Sequence, residues 1–268
     1  MNIDRRTMLQ AAGSTLALTL APGIGAAQGA TFRIGALNPI TGAGSPYGSG
    51  MQKMILAAVA EVNAAGGAGG KKLEVFADDT QTTPQAAVLA AKKLIEVNQV
   101  KAILGTWSSG VSLAVVPLTN DANILLMNTS GAPALSVPPA NAKGLSYRFQ
   151  ATNDRFGRAF AEIAVKEGYT RPATMAFNNA SGIGNTNGFK KAWEAKGKQV
   201  IAEVVYEPNQ PSYRAELQKI LAAKPDVIVM GSFLPDTTII LREWFQTGAN
   251  TKWIIPGWAA NPQLVAAL

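Results

Sequence analysis

The sequence predicts an α/β protein built as two doubly wound parallel-sheet lobes joined by a hinge. Three observations carry that prediction. Short apolar runs alternate with longer amphipathic stretches along most of the chain, the pattern of parallel strands crossed by helices. The alternation breaks once, at a Pro-, Ala- and Gly-rich seam over residues 132–144, and then restarts. Two apolar runs end in small hydroxyl-bearing loops, Trp107-Ser108-Ser109 and Thr129-Ser130-Gly131, one strand–helix unit apart. Open α/β sheets hold ligands at such strand ends.

Taken in order, residues 32–37 read as a strand and 47–63 as a helix, with Met51, Met54, Ile55, Ala58, Val59 and Val62 at helical spacing. Ala64-Ala65-Gly66-Gly67 ends that helix, and residues 73–77 form the next strand. Thr83-Pro84 opens a helix with a cap and a first-turn proline, burying Ala87, Val88, Ala91, Leu94 and Ile95. Residues 100–104 are a strand, 109–121 a helix and 124–127 a strand. Past the seam, 147–150 reads as an isolated strand. Helices at 154–166, 188–196, 212–223 and 237–247 then alternate with strands at 174–177, 200–206, 227–230 and 253–255. The expected organisation is lobe 1 over 28–146, a hinge crossover at 147–151 and lobe 2 over 152–268.

Residues 1–27 read as a cleaved export signal. The basic pair Arg5-Arg6 precedes an Ala/Leu/Thr-rich stretch, Pro22 breaks it, and Gly25-Ala26-Ala27 supplies small residues for a signal peptidase. The stretch is too short and too polar to span a membrane. Paired arginines favour the twin-arginine route, and the mature protein is expected in the periplasm.

Composition excludes several chemistries. With 47% hydrophobic residues in 268, a core can form without cross-links. The chain has no Cys, so it has no disulfide, zinc-thiolate site, thiol nucleophile or lipid-anchored cysteine. It has no His, so the commonest general base and metal ligand is absent. The net charge of +7 is scattered in pairs such as Lys71-Lys72, Lys92-Lys93 and Lys190-Lys191, which reads as solvated surface rather than a nucleic-acid footprint. Gly66-Gly67-Ala68-Gly69-Gly70-Lys71-Lys72 resembles a phosphate loop but follows a helix and lacks the terminal Ser or Thr. Gly182, Gly184 and Gly188 miss the dinucleotide spacing by one residue and read as a turn. Asp78-Asp79, without a partnered nucleophile, reads as a cap for the helix at Pro84 or a stiffener of its loop. No enzyme, cofactor or metal is expected.

The two hydroxyl loops offer a different chemistry. Ser109, Thr129 and Ser130, with the backbone N–H groups around Gly110 and Gly131, can hydrogen-bond a carboxylate without contributing charge. Each serine read alone serves equally well as a helix cap.

Beyond these local features the chain resembles the type I periplasmic binding proteins of ABC transporters, in particular the leucine/isoleucine/valine-binding family. The likeness is carried by Thr41-Gly42, Tyr47-Gly48, a helix ending Asn63-Ala64-Ala65-Gly66-Gly67, a strand closing on Asp78-Asp79, and Lys101-Ala102-Ile103-Leu104-Gly105 before the serine loop. The segments at 173–188 and 227–248, the latter containing Gly231-Ser232-Phe233-Leu234-Pro235-Asp236, fit the second lobe. The resemblance implies that Ser108 and Ser109 bind a ligand α-carboxylate and that Trp107 and Tyr47 line the side-chain pocket. Thr129 or Ser130, with Gly131, would reach the carboxylate and ammonium. Asp236 falls where the family places the acid that pairs with the ammonium; a cap for the helix at Thr237 is the other reading. Ile183 stands where the family often has a tyrosine on the ammonium, so that site is weaker here or the ligand is not an ordinary amino acid. The family continues past the point matching Leu268, so the second lobe is expected to be incomplete. The implied function is a monomeric solute-binding partner of inner-membrane permease subunits; a ligand-sensing receptor of the same fold, amide-, urea- or aromatic-acid-responsive, is the alternative.

Overall fold

A computed structural model describes residues 31–268. The export-signal reading over 1–27 lies outside the described residues. The first sheet contains β1 (Phe32–Asn38), β2 (Leu73–Asp79), β3 (Ala102–Gly105), β4 (Leu125–Asn128) and β5 (Ser146–Arg148), crossed by α1 (Ser45–Ala64), α2 (Pro84–Lys92) and α3 (Ser109–Asp121). The second contains β6 (Pro172–Phe177), β7 (Ala202–Tyr206), β8 (Val227–Gly231) and β9 (Lys252–Ile254). It carries α4 (Asn153–Lys166), α5 (Ala180–Glu194), α6 (Arg214–Leu221), α7 (Leu234–Gln246) and α8 (Pro262–Ala267).

Every strand pairing is parallel, in the orders β2-β1-β3-β4-β5 and β7-β6-β8-β9. Both sheets therefore reverse direction beside their first strand, between β1 and β3 and between β6 and β8. Those are the switch points where α/β sheets open a crevice at their carboxyl ends. The run Val227-Ile228-Val229-Met230 shows why such strands read as continuous apolar stretches. Ile228 and Met230 pack with Phe177, Tyr213, Leu217 and Ile240, while Val227 and Val229 pack with Phe160, Phe189 and Trp193. Leu37, Leu94, Ile103, Val115, Leu126 and Leu135 form the core of the first lobe.

The structure corrects five readings. Residues 146–148 are not isolated: Leu126, Met127 and Asn128 pair with Ser146, Tyr147 and Arg148, making β5 the edge of the first sheet. Within the seam, Pro133–Ser136 forms a 3-10 turn, and Asn141 clamps the chain by accepting from Ser146 N and donating to Ser146 O at 2.9 and 3.0 Å. Gly182, Gly184 and Gly188 are inside α5, which starts at Ala180, where Asn179 accepts from Ser181 N and Gly182 N. The glycines permit close backbone approach: a Cβ on Gly188 would lie 2.6 Å from Asp154 Cα, and one on Gly182 2.7 Å from Gly231 O. α7 begins at Leu234 because Pro235 suits a first helical turn, which moves Asp236 inside the helix and leaves Phe233 at the cap. Of the six apolar residues expected to face the core from α1, only Val59 is buried, and Met54 is 72% exposed. Apolar residues surround that helix almost completely from Met54 to Ala60, so their spacing singles out no face.

Asp79 stiffens its loop rather than capping α2. It accepts from Ile40 N, Thr41 N, Thr41 Oγ1 and Gln81 N, while Thr83 Oγ1 caps α2 by accepting from Ala86 N.

Candidate functional site

The loop after β3 is shaped by its backbone. Gly105 has φ +125°, and a Cβ there would lie 2.3 Å from Leu37 O. Thr106 also adopts a positive φ, and its N–H donates to Leu37 O at 2.6 Å. The chain is thereby turned so that Trp107 and Ser108 lead into α3 at the sheet's switch point. Ser130 holds this loop from the next strand end. Its hydroxyl is buried within hydrogen-bond distance of Ser112 Oγ and of the Trp107 carbonyl, the latter at 2.9 Å. Ser130 is thus a strut, with its donor already engaged. Thr129 Oγ1 is buried with no partner among the described residues.

The second lobe meets this loop directly. Ser109 N donates to Ser181 Oγ at 3.1 Å, and Asn153 Nδ2 reaches Ser109 Oγ at 3.4 Å. Asn153 N donates to Gly131 O at 2.7 Å. Tyr47 OH donates to Trp258 O at 2.6 Å, and burial pushes the Tyr47 hydroxyl up to about 12, against a backbone hydrogen bond from Leu234 that lowers it. Rings continue the contact: Tyr47 and Phe233 each lie 4.4 Å from Trp107, Phe233 lies 4.4 Å from Phe177, and Phe156 meets Trp258 edge-on at 5.2 Å.

Between the lobes remains a small cavity of about 20 Å³, lined by Trp107, Gly131, Gln150, Asn153, Ser181, Phe233 and Trp258. Four helices begin at its walls: α3 after Ser108, α4 at Asn153, α5 just before Ser181, and α7 after Phe233. Only α5 has a side-chain cap; the N-cap residues Ser108, Thr152 and Phe233 make no such hydrogen bond. The first N–H groups of α3 and α4 are engaged by Ser181 Oγ and Gly131 O, so what favours an anion there is the convergence of the helix dipoles.

Of the predicted residues, Trp107 and Gly131 line this cavity, while Tyr47, Ser109 and Ser130 stand behind its walls, against Trp107 and Ser181, and Ser108 joins Trp107 to α3. Ile183 is half-buried in the first turn of α5, with its N–H donating to Asn179 O, and does not line the cavity. Asp236 does not line it either. Its carboxylate is 3% exposed, accepts from Asn209 N at 3.1 Å and from the Tyr213 hydroxyl, and burial raises its pKa above the usual carboxylate value. Asn153, Ser181, Phe233, Trp258 and Gln150 were not anticipated. Ser181 and Phe233 follow β6 and β8 at the second switch point, as Trp107 follows β3 at the first, and that symmetry was the signal available.

The raised Asp236 carboxyl gives a pH test. A carboxyl whose folded pKa exceeds its unfolded value stabilises the fold fully below the unfolded pKa, and that contribution is lost as pH rises through the folded one. Relative to Asp236→Asn, the parent should therefore lose stability as pH rises from about 4 toward 7. Thermal unfolding without ligand across that range checks it; a constant gap between the two proteins would contradict the burial account.

The chain belongs to the periplasmic binding protein family, whose model matches residues 31–268. It is 25% identical over 228 residues to a Leu/Ile/Val-binding protein of Rhizobium johnstonii, covering 84% of this chain and 61% of the relative. In fold it is similar to a leucine-binding protein of Thermotoga maritima, with TM-score 0.78, 23% identity, and coverage of 88% and 66%. It is also similar to an ABC-transporter solute-binding protein of Rhodopseudomonas palustris in complex with p-hydroxybenzoic acid, with TM-score 0.76, 22% identity, and coverage of 88% and 66%. The chain thus spans about two thirds or less of the lengths of these proteins. Among the described residues no helix is long and apolar enough to cross a membrane, and no acidic cluster could hold a metal ion.

Proposed function

We propose that this protein is the exported, periplasmic solute-binding component of an ABC importer, and not an enzyme. It binds an amino acid or related small carboxylate between a lobe over 28–146 and a lobe over 152–268, which turn about the crossover at 147–151. The observation that carries this reading is the cavity where both switch points meet, walled by side chains of both lobes and by four helix N-termini. A leucine and a p-hydroxybenzoic acid share one group, the carboxylate, and this cavity offers that group neutral donors.

In this reading Ser109 Oγ and the first free N–H groups of α3 donate to the carboxylate, while Asn153 and Ser181 close from the other side. Thr129, Ser130 and Gly131 shape the floor, and Trp107 and Tyr47 wall it. Bringing the lobes together around a ligand creates a surface that membrane permease subunits recognise in a monomeric, cofactor-free partner.

Calorimetric titration of the mature chain with small carboxylates tests the proposal. Ser109→Ala should weaken binding by about 1–3 kcal/mol, the cost of leaving a buried charged acceptor one hydrogen bond short. Unchanged affinity would reduce the serine loop to a helix start.

A further inference from the structure

Resting on that reading of the cleft, we propose that Trp107 is a stopper: a first-lobe side chain that seats itself in the second lobe and that a ligand must displace to bind. The residue follows β3 of the first sheet, yet its ring packs against the core of the second lobe, the cluster that contains Phe177, Met230 and Phe233. Its centroid lies 4.4 Å from that of Phe233 and 4.4 Å from that of Tyr47, with the planes tilted by 38° and 31°. Aromatic pairs in contact have centroids roughly 4.5–7 Å apart, so nothing fits between these rings. The remaining space of about 20 Å³ holds a single water molecule, which needs roughly 10–15 Å³.

The polar groups around the ring are paired across the lobes in the same manner. Ser109 N, at the start of α3, donates to Ser181 Oγ at 3.1 Å. Asn153 N, at the start of α4, donates to Gly131 O at 2.7 Å, and Asn153 Nδ2 reaches Ser109 Oγ at 3.4 Å. A carboxylate entering here exchanges these bonds for its own, and such exchanges nearly cancel. The apolar contact of Trp107 is therefore what a ligand has to outcompete.

Of the three rings at the cavity, Trp107 is the one able to leave. Phe233 is 4% exposed and also touches Phe177 at 4.4 Å. Trp258 is pinned twice, with its Nε1 donating to Ser232 O at 3.1 Å and its carbonyl accepting from the Tyr47 hydroxyl at 2.6 Å. Trp107 is half-buried, and Ser130 Oγ holds its carbonyl at 2.9 Å. Its backbone is thus fixed while a change of rotamer swings the indole out of the second lobe. The protein then divides between a ring-in form, closed on itself, and a ring-out form that accepts a ligand. Apparent affinity falls by the fraction that is ring-in, so the stopper turns away ligands too weak to replace it.

The test reads lobe separation and affinity together. Because the chain has no Cys, spin labels go on cleanly at Lys53→Cys in α1 and Lys191→Cys in α5, both exposed. Pulsed electron paramagnetic resonance in buffer without added carboxylate should give one short interlobe distance for the parent, and a longer, broader distribution for Trp107→Ala. Identical distributions would overturn the inference. Should Trp107→Ala lose its circular dichroism, Trp107→Phe carries the test, with part of its population at the longer distance. Benzoate, L-leucine and L-lactate are then titrated by calorimetry into the parent and Trp107→Ala. Whichever of them the parent binds should bind the variant about tenfold tighter, since the competing ring is gone. Weaker binding by the variant would make Trp107 a wall of the site, overturning the inference and leaving the carboxylate-binding proposal standing. Binding of none of the three by either folded protein would overturn both.

Discussion

Gly131→Ala is expected to weaken ligand binding by roughly 5- to 150-fold, the equivalent of about 1–3 kcal/mol of overpacking. The added methyl would lie 1.9 Å from Asn153 Oδ1 and 3.3 Å from Asn153 N. The Asn153 side chain can swing aside only by giving up its place beside Ser109 Oγ and the Ala180 carbonyl. The clash also threatens the 2.7 Å bond from Asn153 N to Gly131 O, which ties the floor of one lobe to the first helix of the other. Because the strain arises where the lobes meet and not within either core, the unfolding temperature should move far less than the affinity. Small-angle scattering should report a larger radius for the substituted chain. Gly110→Ala is the control: its methyl meets nothing within 4 Å, and its φ is ordinary. Equal affinities for the two variants would show that the lobes do not need this contact to hold a ligand.

The second large effect concerns stability. Gly157 on α4 faces α5 so closely that a Cβ would sit 2.2 Å from Phe189 N, 2.4 Å from Gly188 C and 2.5 Å from Asn185 O. All three are backbone atoms of a helix, so no rotamer change relieves the contact. The helices must separate, opening the packing of Phe160, Phe189 and Trp193 beneath them. Gly157→Ala should cost about 3 kcal/mol, the upper end of ordinary overpacking. That lowers the unfolding temperature by roughly 6–12 °C in calorimetry. Gly50→Ala should act in the opposite direction. Its methyl meets nothing, it lies within α1, and alanine there removes backbone entropy from the unfolded chain at a gain of about 0.5–1 kcal/mol. A Gly157 variant that melts with the parent would mean that α4 and α5 slide past one another freely.

Strand ends and the serine loop were legible because burial on both faces makes parallel strands uniformly apolar, and because a small polar residue marks the point where each strand leaves the sheet. Ala102–Gly105 and Ser109–Asp121 fall where the residues place them. Helix starts at Ala180 and Leu234 were not legible. Gly182, Gly184 and Pro235 look like breakers in a linear reading, yet two are close-approach glycines and the third is a first-turn proline. The side of the cleft contributed by the second lobe was missed for a related reason. Asn153 and Ser181 carry no unusual local pattern, and they acquire a role only when the two sheet edges face each other. Asp236 shows the limit of a motif match: its position along the chain fits an ammonium partner, but the Asn209–Tyr213 loop occupies its carboxylate.

The hydrogen bond from Tyr47 to Trp258 joins residues 211 apart in sequence. By contrast, the first sheet draws all five of its strands from residues 32–148, and the second draws its four from 172–254. Among the described residues no strand waits on the other lobe for a neighbour. Closing a loop of that length has an entropic cost that only finished lobes can offset, since the docking surfaces do not exist before the sheets do. A chain made from its amino end can therefore complete the first sheet before the second has been synthesised. The cleft, and with it the capacity to bind, is the last part of the molecule to form.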